Sequence, residues 1–132
     1  MDFRLPSINK IFIVGNLLAD PELTVVTEKK ISVVNFKIAS NKKFKNNEGQ
    51  KKDKVCFVNI VAWSKLAVIC ADNLRRGDGV YIEGELQTRS VVNSGERITI
   101  TEVLANRIQF LTKHFQNEDT FSSEENETIT PE

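Results

Sequence analysis

A single amphipathic helix pattern, KLAVICADNLRR at 65–76, stands between the third and fourth of five β-patterned runs. That order constrains the fold more than any other feature of the chain. The first run, 8–17, sets Ile11 and Ile13 on one face and Phe12 and Val14 on the other. Gly15 interrupts it, predicting a bulge or a close backbone approach, and Asp20-Pro21 marks a turn. The second run, 30–40, alternates Val34, Phe36 and Ile38. The polar stretch 41–54 holds six lysines against Glu48 and Asp53 and reads as the tip of a long hairpin. The third run, 55–63, turns Val58, Ile60 and Ala62 toward a core and leaves Phe57, Asn59, Val61 and Trp63 on a more mixed face. Ser64 is the expected N-cap of the helix, and Leu66, Ile69, Cys70 and Leu74 form its apolar stripe. Arg75 and Arg76 are expected in its last turn, with Gly77 as the C′ residue. The fourth run, 79–92, breaks at Gly84, and Asn93-Ser94-Gly95 makes a hairpin turn. The fifth, 97–111, sets Ile98, Ile100 and Glu102 opposite Thr99 and Thr101.

Five strands with one helix between the third and fourth is the order of an OB-fold, a small, partly open Greek-key barrel. Another small β-barrel is the alternative. The expected organisation is one all-β domain over 1–113 and an acidic tail over 114–132. The tail is too polar to bury enough apolar surface to offset its ordering entropy, so disorder is expected there.

Composition narrows the function. Hydrophobic residues make up 40% of the chain, enough for one core, but no apolar run approaches the ~20 residues of a membrane-spanning helix. The opening MDFRLPS does not read as a signal peptide. Cys56 and Cys70 lack metal-ligand spacing and suit a reducing compartment. With one His and no nucleophile–base constellation, the expectation is a binding protein with no catalytic residue, no metal and no cofactor. The formal net charge is zero, but the halves differ: 1–113 holds all 18 Lys and Arg against 12 acids, and 114–132 holds six acids with no Lys or Arg. A basic body (+6) beside an acidic tail (−6) predicts a polyanionic partner; ordinary solubilising charge is the plainer alternative.

Three segments together carry a resemblance: INKIFIVGNLLADPEL at 8–23, VVNFKIASNKKF at 33–44 and VAWSKLAVICADNLRRGDGVYIEGELQTR at 61–89. The chain over roughly 8–112 resembles the bacterial-type single-stranded DNA-binding protein family. The resemblance implies an OB-fold that assembles as a homotetramer and coats single-stranded DNA in replication, recombination and repair, in the cytoplasm with the bacterial nucleoid. A primosomal accessory OB-fold protein and an RNA-binding OB module are the alternatives; the acidic tail argues against the first.

Sequence-independent binding of a single strand needs aromatic faces for bases and cations for phosphates. The resemblance places stacking positions at Phe44, Phe57 and Trp63, and at Val91, where the family's usual Trp is missing. The parity of Phe57 and Trp63, opposite to Val58, Ile60 and Ala62, independently puts them on the outer face. Candidate phosphate contacts are Lys10, Lys42, Lys43, Lys45, Lys51, Lys52, Lys54, Lys65, Arg75, Arg76 and Arg89. Of these, Lys10, Lys65, Arg76 and Arg89 match basic family positions. The loop lysines could instead form a solvated tip, and Arg75 could serve as a helix-end charge. Asn59 and Gln87 stand at positions often basic in the family. Val58 replaces a His that helps hold subunits together in many relatives. The family's acidic tail usually ends Ile/Leu-Pro-Phe and recruits replication and repair proteins; here Ile129-Thr130-Pro131-Glu132 lacks the Phe.

Overall fold

The computed structural model describes residues 4–26, 28–112 and 120–122. Its elements are β1 (Ile11–Leu17), β2 (Glu22–Val26), β3 (Ile31–Lys45), β4 (Lys51–Trp63), α1 (Ser64–Asn73), β5 (Gly79–Asn93), β6 (Glu96–Phe110) and β7 (Thr120–Ser122). The strands follow the order β1-β5-β6-β4-β3-β2, and a second pairing of β1 with β3 closes β1, β3, β4, β5 and β6 into a barrel. The pairs are antiparallel except β4 with β6, which run parallel where Ile60 and Val61 meet Val103 and Leu104. The OB-fold expected from the element order is the architecture found.

Two strands exceed the five expected. β1 and β2 run along the same edge of β3, from Asn16–Ala39 and Leu17–Ile38 to Glu22–Asn35 and Val26–Ile31. Between those pairings β1–β2 holds two more residues than β3, which the turn at Leu18–Pro21 absorbs. That turn is the one expected at Asp20-Pro21; the fully exposed strand after it has no core pattern to reveal it. β7 pairs Thr120, Phe121 and Ser122 with Gln109, Ile108 and Arg107. It is a local departure from the expectation of no regular structure over 114–132; the rest of that segment lies outside the described residues.

Two glycines permit the closure. A Cβ on Gly15 would come within 2.6 Å of the Ala39 carbonyl oxygen, so β1 can cross from β5 to β3 only without a side chain there. A Cβ on Gly84 would collide with the Leu104 carbonyl, beside the bulge where the register slips between Glu83–Arg107 and Gly84–Ala105. Bulges bend and twist strands, and beyond this one β5 and β6 stay paired to the turn between Asn93 and Glu96. Asn9 continues the β1–β5 ladder past the bulge with its side chain: Nδ2 donates to the Leu86 carbonyl, and Oδ1 accepts from the Leu86 N–H, both at 2.8 Å.

The core follows the alternation. Val34, Phe36 and Ile38 from β3, Ile60 and Ala62 from β4, and Val80 and Ile82 from β5 are buried against Ile108 and Phe110 of β6. Leu66, Ala67, Ile69 and Cys70 of α1 complete it. Each large apolar side chain so buried contributes about 1.5–3 kcal/mol. Val61 departs from the mixed face assigned to it: it is buried, because β4 meets β6 at that position.

The helix ends differ from expectation. Ser64 does not cap α1; it is the first helical residue, with φ +60°, and no side chain caps the preceding Trp63 position. The helix stops at Asn73, so Arg75 and Arg76 lie beyond its last turn. Leu74 is buried and takes the C-cap position, its N–H donating to the Cys70 carbonyl. Gly77 serves not as C′ but as the third residue of a turn, where its φ of +91° suits the Asp78 N–H to Arg75 carbonyl bond.

Candidate nucleic-acid interface

The unbroken register of β3 with β4 settles which side chains share a face. Val33, Asn35, Lys37, Ala39, Asn41, Lys43 and Lys45 stand opposite Trp63, Val61, Asn59, Phe57, Val55, Asp53 and Lys51 on the outer face. Phe57 (63% exposed) and Trp63 (42%) therefore look outward together, as their parity predicted. Six residues separate them, about 20 Å of strand.

Across the parallel seam the same face continues onto β6 and β5, where Gln87 faces Glu102, Arg89 faces Ile100 and Val91 faces Ile98. Between the two walls lies a cleft lined by Asn35, Lys37, Asn59, Arg89, Ile100 and Glu102. Val91 reaches this face as a half-buried aliphatic residue with no aromatic ring to offer.

The cleft is not basic in net. Lys37 and Arg89 are its cations, while Asp20, Glu22 and Glu102 also line it. Arg89 donates from Nε to Glu102 Oε2 at 3.0 Å, and Gln87 Nε2 donates to the same oxygen at 2.7 Å. Asp20, read from sequence as turn chemistry, accepts from the Arg76 N–H at 2.8 Å and ties the cleft rim to the turn after α1. Lys37 and Glu102 were missed as site residues. The inward set Val34, Phe36 and Ile38 already implied that Lys37 points out, but only the register shows that it faces Asn59.

Most of the positive charge lies elsewhere. β3 and β4 continue past the barrel as a two-stranded arm to the tip Asn46–Gln50, with Lys42, Lys43, Lys45, Lys51, Lys52 and Lys54 all exposed. The tip is ordered by Asn46, whose Oδ1 accepts from the N–H groups of Glu48 (3.0 Å) and Gln50 (2.9 Å). Lys43 faces Asp53 on the outer face. On the reverse face Lys42 stands directly opposite Lys54, and Phe44 opposite Lys52, with no carboxylate among them. Like charges directly opposite disfavour pairing, a cost that a bound anion would relieve.

The structure thus brings Phe57, Trp63, Arg89, Lys43, Lys45 and Lys51 onto one face and sets Phe44, Lys42, Lys52 and Lys54 on the other face of the arm. The remaining candidates are dispersed. Lys10 is exposed just before β1, and Lys65 is exposed in the first turn of α1. Arg75 Nη1 donates to the carbonyls of Ala71 (2.9 Å) and Leu74 (2.6 Å), so it acts on the helix C-terminus from outside the helix. Arg76 is exposed in the following turn.

A second exposed surface lies on the outer side of β1 and β5. Phe12 and Val14 stand opposite Glu83 and Tyr81, and both apolar side chains are more than half exposed. Tyr81 donates to Glu83 Oε2 at 3.0 Å, and Arg107 Nη1 lies 3.4 Å from the same oxygen. Desolvation and the neighbouring carboxylate hold the Tyr81 phenol above its ordinary range. On the side away from β5, β1 pairs among the described residues only through Asn16 and Leu17, which leaves the Ile11–Val14 edge open.

An OB barrel that exposes aromatic side chains on its outer face and carries a lysine-rich arm falls in the class of OB-fold binding modules. Residues 8–111 match the model of the single-strand binding protein family, and the chain belongs to that family. It is 43% identical over 114 residues to single-stranded DNA-binding protein 2 of Chlorobaculum tepidum, covering 86% of this chain and 77% of that one. It is 39% identical over 105 residues to the single-stranded DNA-binding protein of Halalkalibacterium halodurans, covering 79% of this chain but 61% of that one. Among solved structures, the Plasmodium falciparum SSB complex with ssDNA superposes with a TM-score of 0.72 at 24% identity, covering 83% of this chain and all of that one. A deletion mutant of the Thermus aquaticus single-stranded DNA-binding protein superposes at 0.71 with 22% identity, covering 81% of this chain and 52% of that one. These last two likenesses concern the fold.

Proposed function

We propose that this chain binds single-stranded DNA without sequence choice and coats it during replication, recombination and repair. The observation that carries the reading is the joint exposure of Phe57 and Trp63 on one β face beside an arm with six lysines, in a member of the single-strand binding protein family. Unpaired bases offer π-faces to such rings whatever their sequence, at ~1–3 kcal/mol per stacked base, and lysines follow the phosphates. Duplex DNA, with its bases stacked inside, offers only the second contact. The protein acts by binding rather than by catalysis.

We also propose a homotetramer built as a dimer of dimers. The open β1 edge, flanked by Phe12 and Val14, supports a two-fold pairing of first strands: an exposed edge beside apolar surface is a template for another chain. A bacterial cytoplasmic setting with the nucleoid fits the reading, and the acidic segment 114–132 is a candidate route to replication and repair proteins.

Trp63 is the only tryptophan, so its emission reports one site. Oligo(dT) should quench it, duplex DNA of equal length should not, and light scattering at micromolar concentration should give four chains. Equal response to duplex, or no response with unchanged affinity in a Trp63→Ala variant, would remove the stacking mechanism; a monomeric mass would remove the assembly.

A further inference from the structure

We infer that Glu102 is a positioning residue for nucleic-acid binding, holding the Arg89 guanidinium so that its far edge meets a backbone phosphate. The inference rests on the single-strand-binding reading and adds to it a carboxylate where a phosphate-binding surface would be expected to avoid one. Glu102 is 3% exposed and lies in the cleft wall beneath Arg89, whose side chain is 48% exposed. A buried carboxylate is costly unless it is paired and hydrogen-bonded. Here one oxygen accepts from both Arg89 Nε and Gln87 Nε2. Strand register explains the arrangement. Gln87 is directly opposite Glu102, while Arg89 is two residues further along β5 and reaches back diagonally.

The geometry decides what remains available. Among the described residues the Arg89 guanidinium is bonded only through Nε. Its Nη1 and Nη2 groups carry four further N–H donors, arranged for the two oxygens of a phosphodiester. Glu102 cannot itself approach a phosphate, being buried and already bonded. It fixes the guanidinium plane and cancels its charge over longer distances. Arg89 would then act through oriented hydrogen bonds rather than net charge, as suits a cleft where Asp20 and Glu22 are also present.

Lysine cannot reproduce this, because it has neither Nε–H nor a planar fork. Arg89→Lys should therefore weaken oligo(dT) binding roughly tenfold, although the charge is retained. Glu102→Ala should weaken it to a similar degree, although a negative charge has been removed. Glu102→Gln keeps an acceptor for Nε and should stay within about threefold of the parent protein. Arg89→Lys with Glu102→Ala should be no weaker than either alone, since both remove one interaction.

The readouts are oligo(dT) affinity by Trp63 emission, its salt dependence, and thermal unfolding of each variant. If Glu102→Ala does not fold, Arg89→Lys and Glu102→Gln decide. Arg89→Lys at parental affinity, or tighter binding by Glu102→Ala, would mean that only charge acts at this site and would overturn the inference. Failure of the parent protein to bind oligo(dT) would instead overturn the functional reading beneath it.

Discussion

The β3–β4 arm and the cleft share two strands, but the cleft adds residues of β2, β5 and β6, and the two regions treat charge in opposite ways. The arm has six exposed lysines, and on its reverse face no carboxylate stands among them. In the cleft, three carboxylates surround two cations, and Arg89 is paired with Glu102. The cleft face, by contrast, has Phe57 and Trp63, and its wall is continuous with the core through Val61. On the proposed reading, long-range attraction falls to the arm and base contact to the cleft face. A wall that must also hold a barrel closed needs its polar groups paired, because a buried unpaired charge is expensive; a two-stranded arm in water has no such constraint.

The largest expected effect tests that division directly. Changing all six arm lysines to Gln should lower the slope of log affinity against log salt by roughly 0.7 for each lysine that contacts phosphate. Affinity at low salt should fall by orders of magnitude, while thermal stability stays within about 0.5 kcal/mol, since none of these side chains is buried. An unchanged slope, measured across a salt series with oligo(dT), would move the phosphate path off the arm and onto Lys10, Lys65 and Arg76.

How much of this was legible in the residues depends on which force set each feature. Burial is periodic, so the five barrel strands, the inward faces of β3 and β4, and the outward aim of Phe57 and Trp63 could all be read from alternation. The place of the hairpin turn was also legible, and the structure adds its type: Asn93 pairs with Glu96, and Ser94 and Gly95 both have positive φ (53° and 82°), as a two-residue type I′ connection demands. β2 was not legible, because an exposed strand held by backbone pairing to β3 leaves no apolar pattern. The end of α1 was misread because Arg75 serves the helix carbonyls from outside the helix. The pairing of Arg89 with Glu102 joins residues 13 apart through a register that the bulge at Gly84 shifts, and no local motif encodes it.

The cleft should break differently. Trp63→Ala and Phe57→Ala should each weaken binding by ~1–3 kcal/mol and leave the salt slope nearly intact, because a ring displaces no counterion. Fluorescence serves for Phe57→Ala; a labelled oligonucleotide is needed once Trp63 is gone. A slope that falls in either variant would show that strand placement on the cleft and on the arm is coupled, so that the two regions do not act separately.

Phe44 gives the smallest effect and the sharpest test, since it belongs to the arm by position and to the cleft by chemistry. Its partner Lys52 is five residues from Phe57 along β4, about 17 Å, and on the opposite face of the ribbon. A strand lying in the cleft meets Phe44 only after passing around an edge of the arm. Phe44→Ala should therefore cost nothing measurable with an oligo(dT) that fills the cleft alone, and about 1 kcal/mol with one long enough to continue. Cys56 provides an independent reporter: it is exposed and opposite Ser40, on the same face as Lys42, Lys54 and Phe44. Cys70 is buried and its thiol is pushed far above the ordinary range, so a maleimide dye at neutral pH should mark Cys56 alone in the folded protein. The dye should respond to the longer oligonucleotide and ignore the shorter, while Trp63 responds to both. Equal cost of Phe44→Ala at both lengths, with the dye and Trp63 responding together, would show that the twist of the arm carries its reverse face onto the path of the cleft, and that the two regions form one continuous surface.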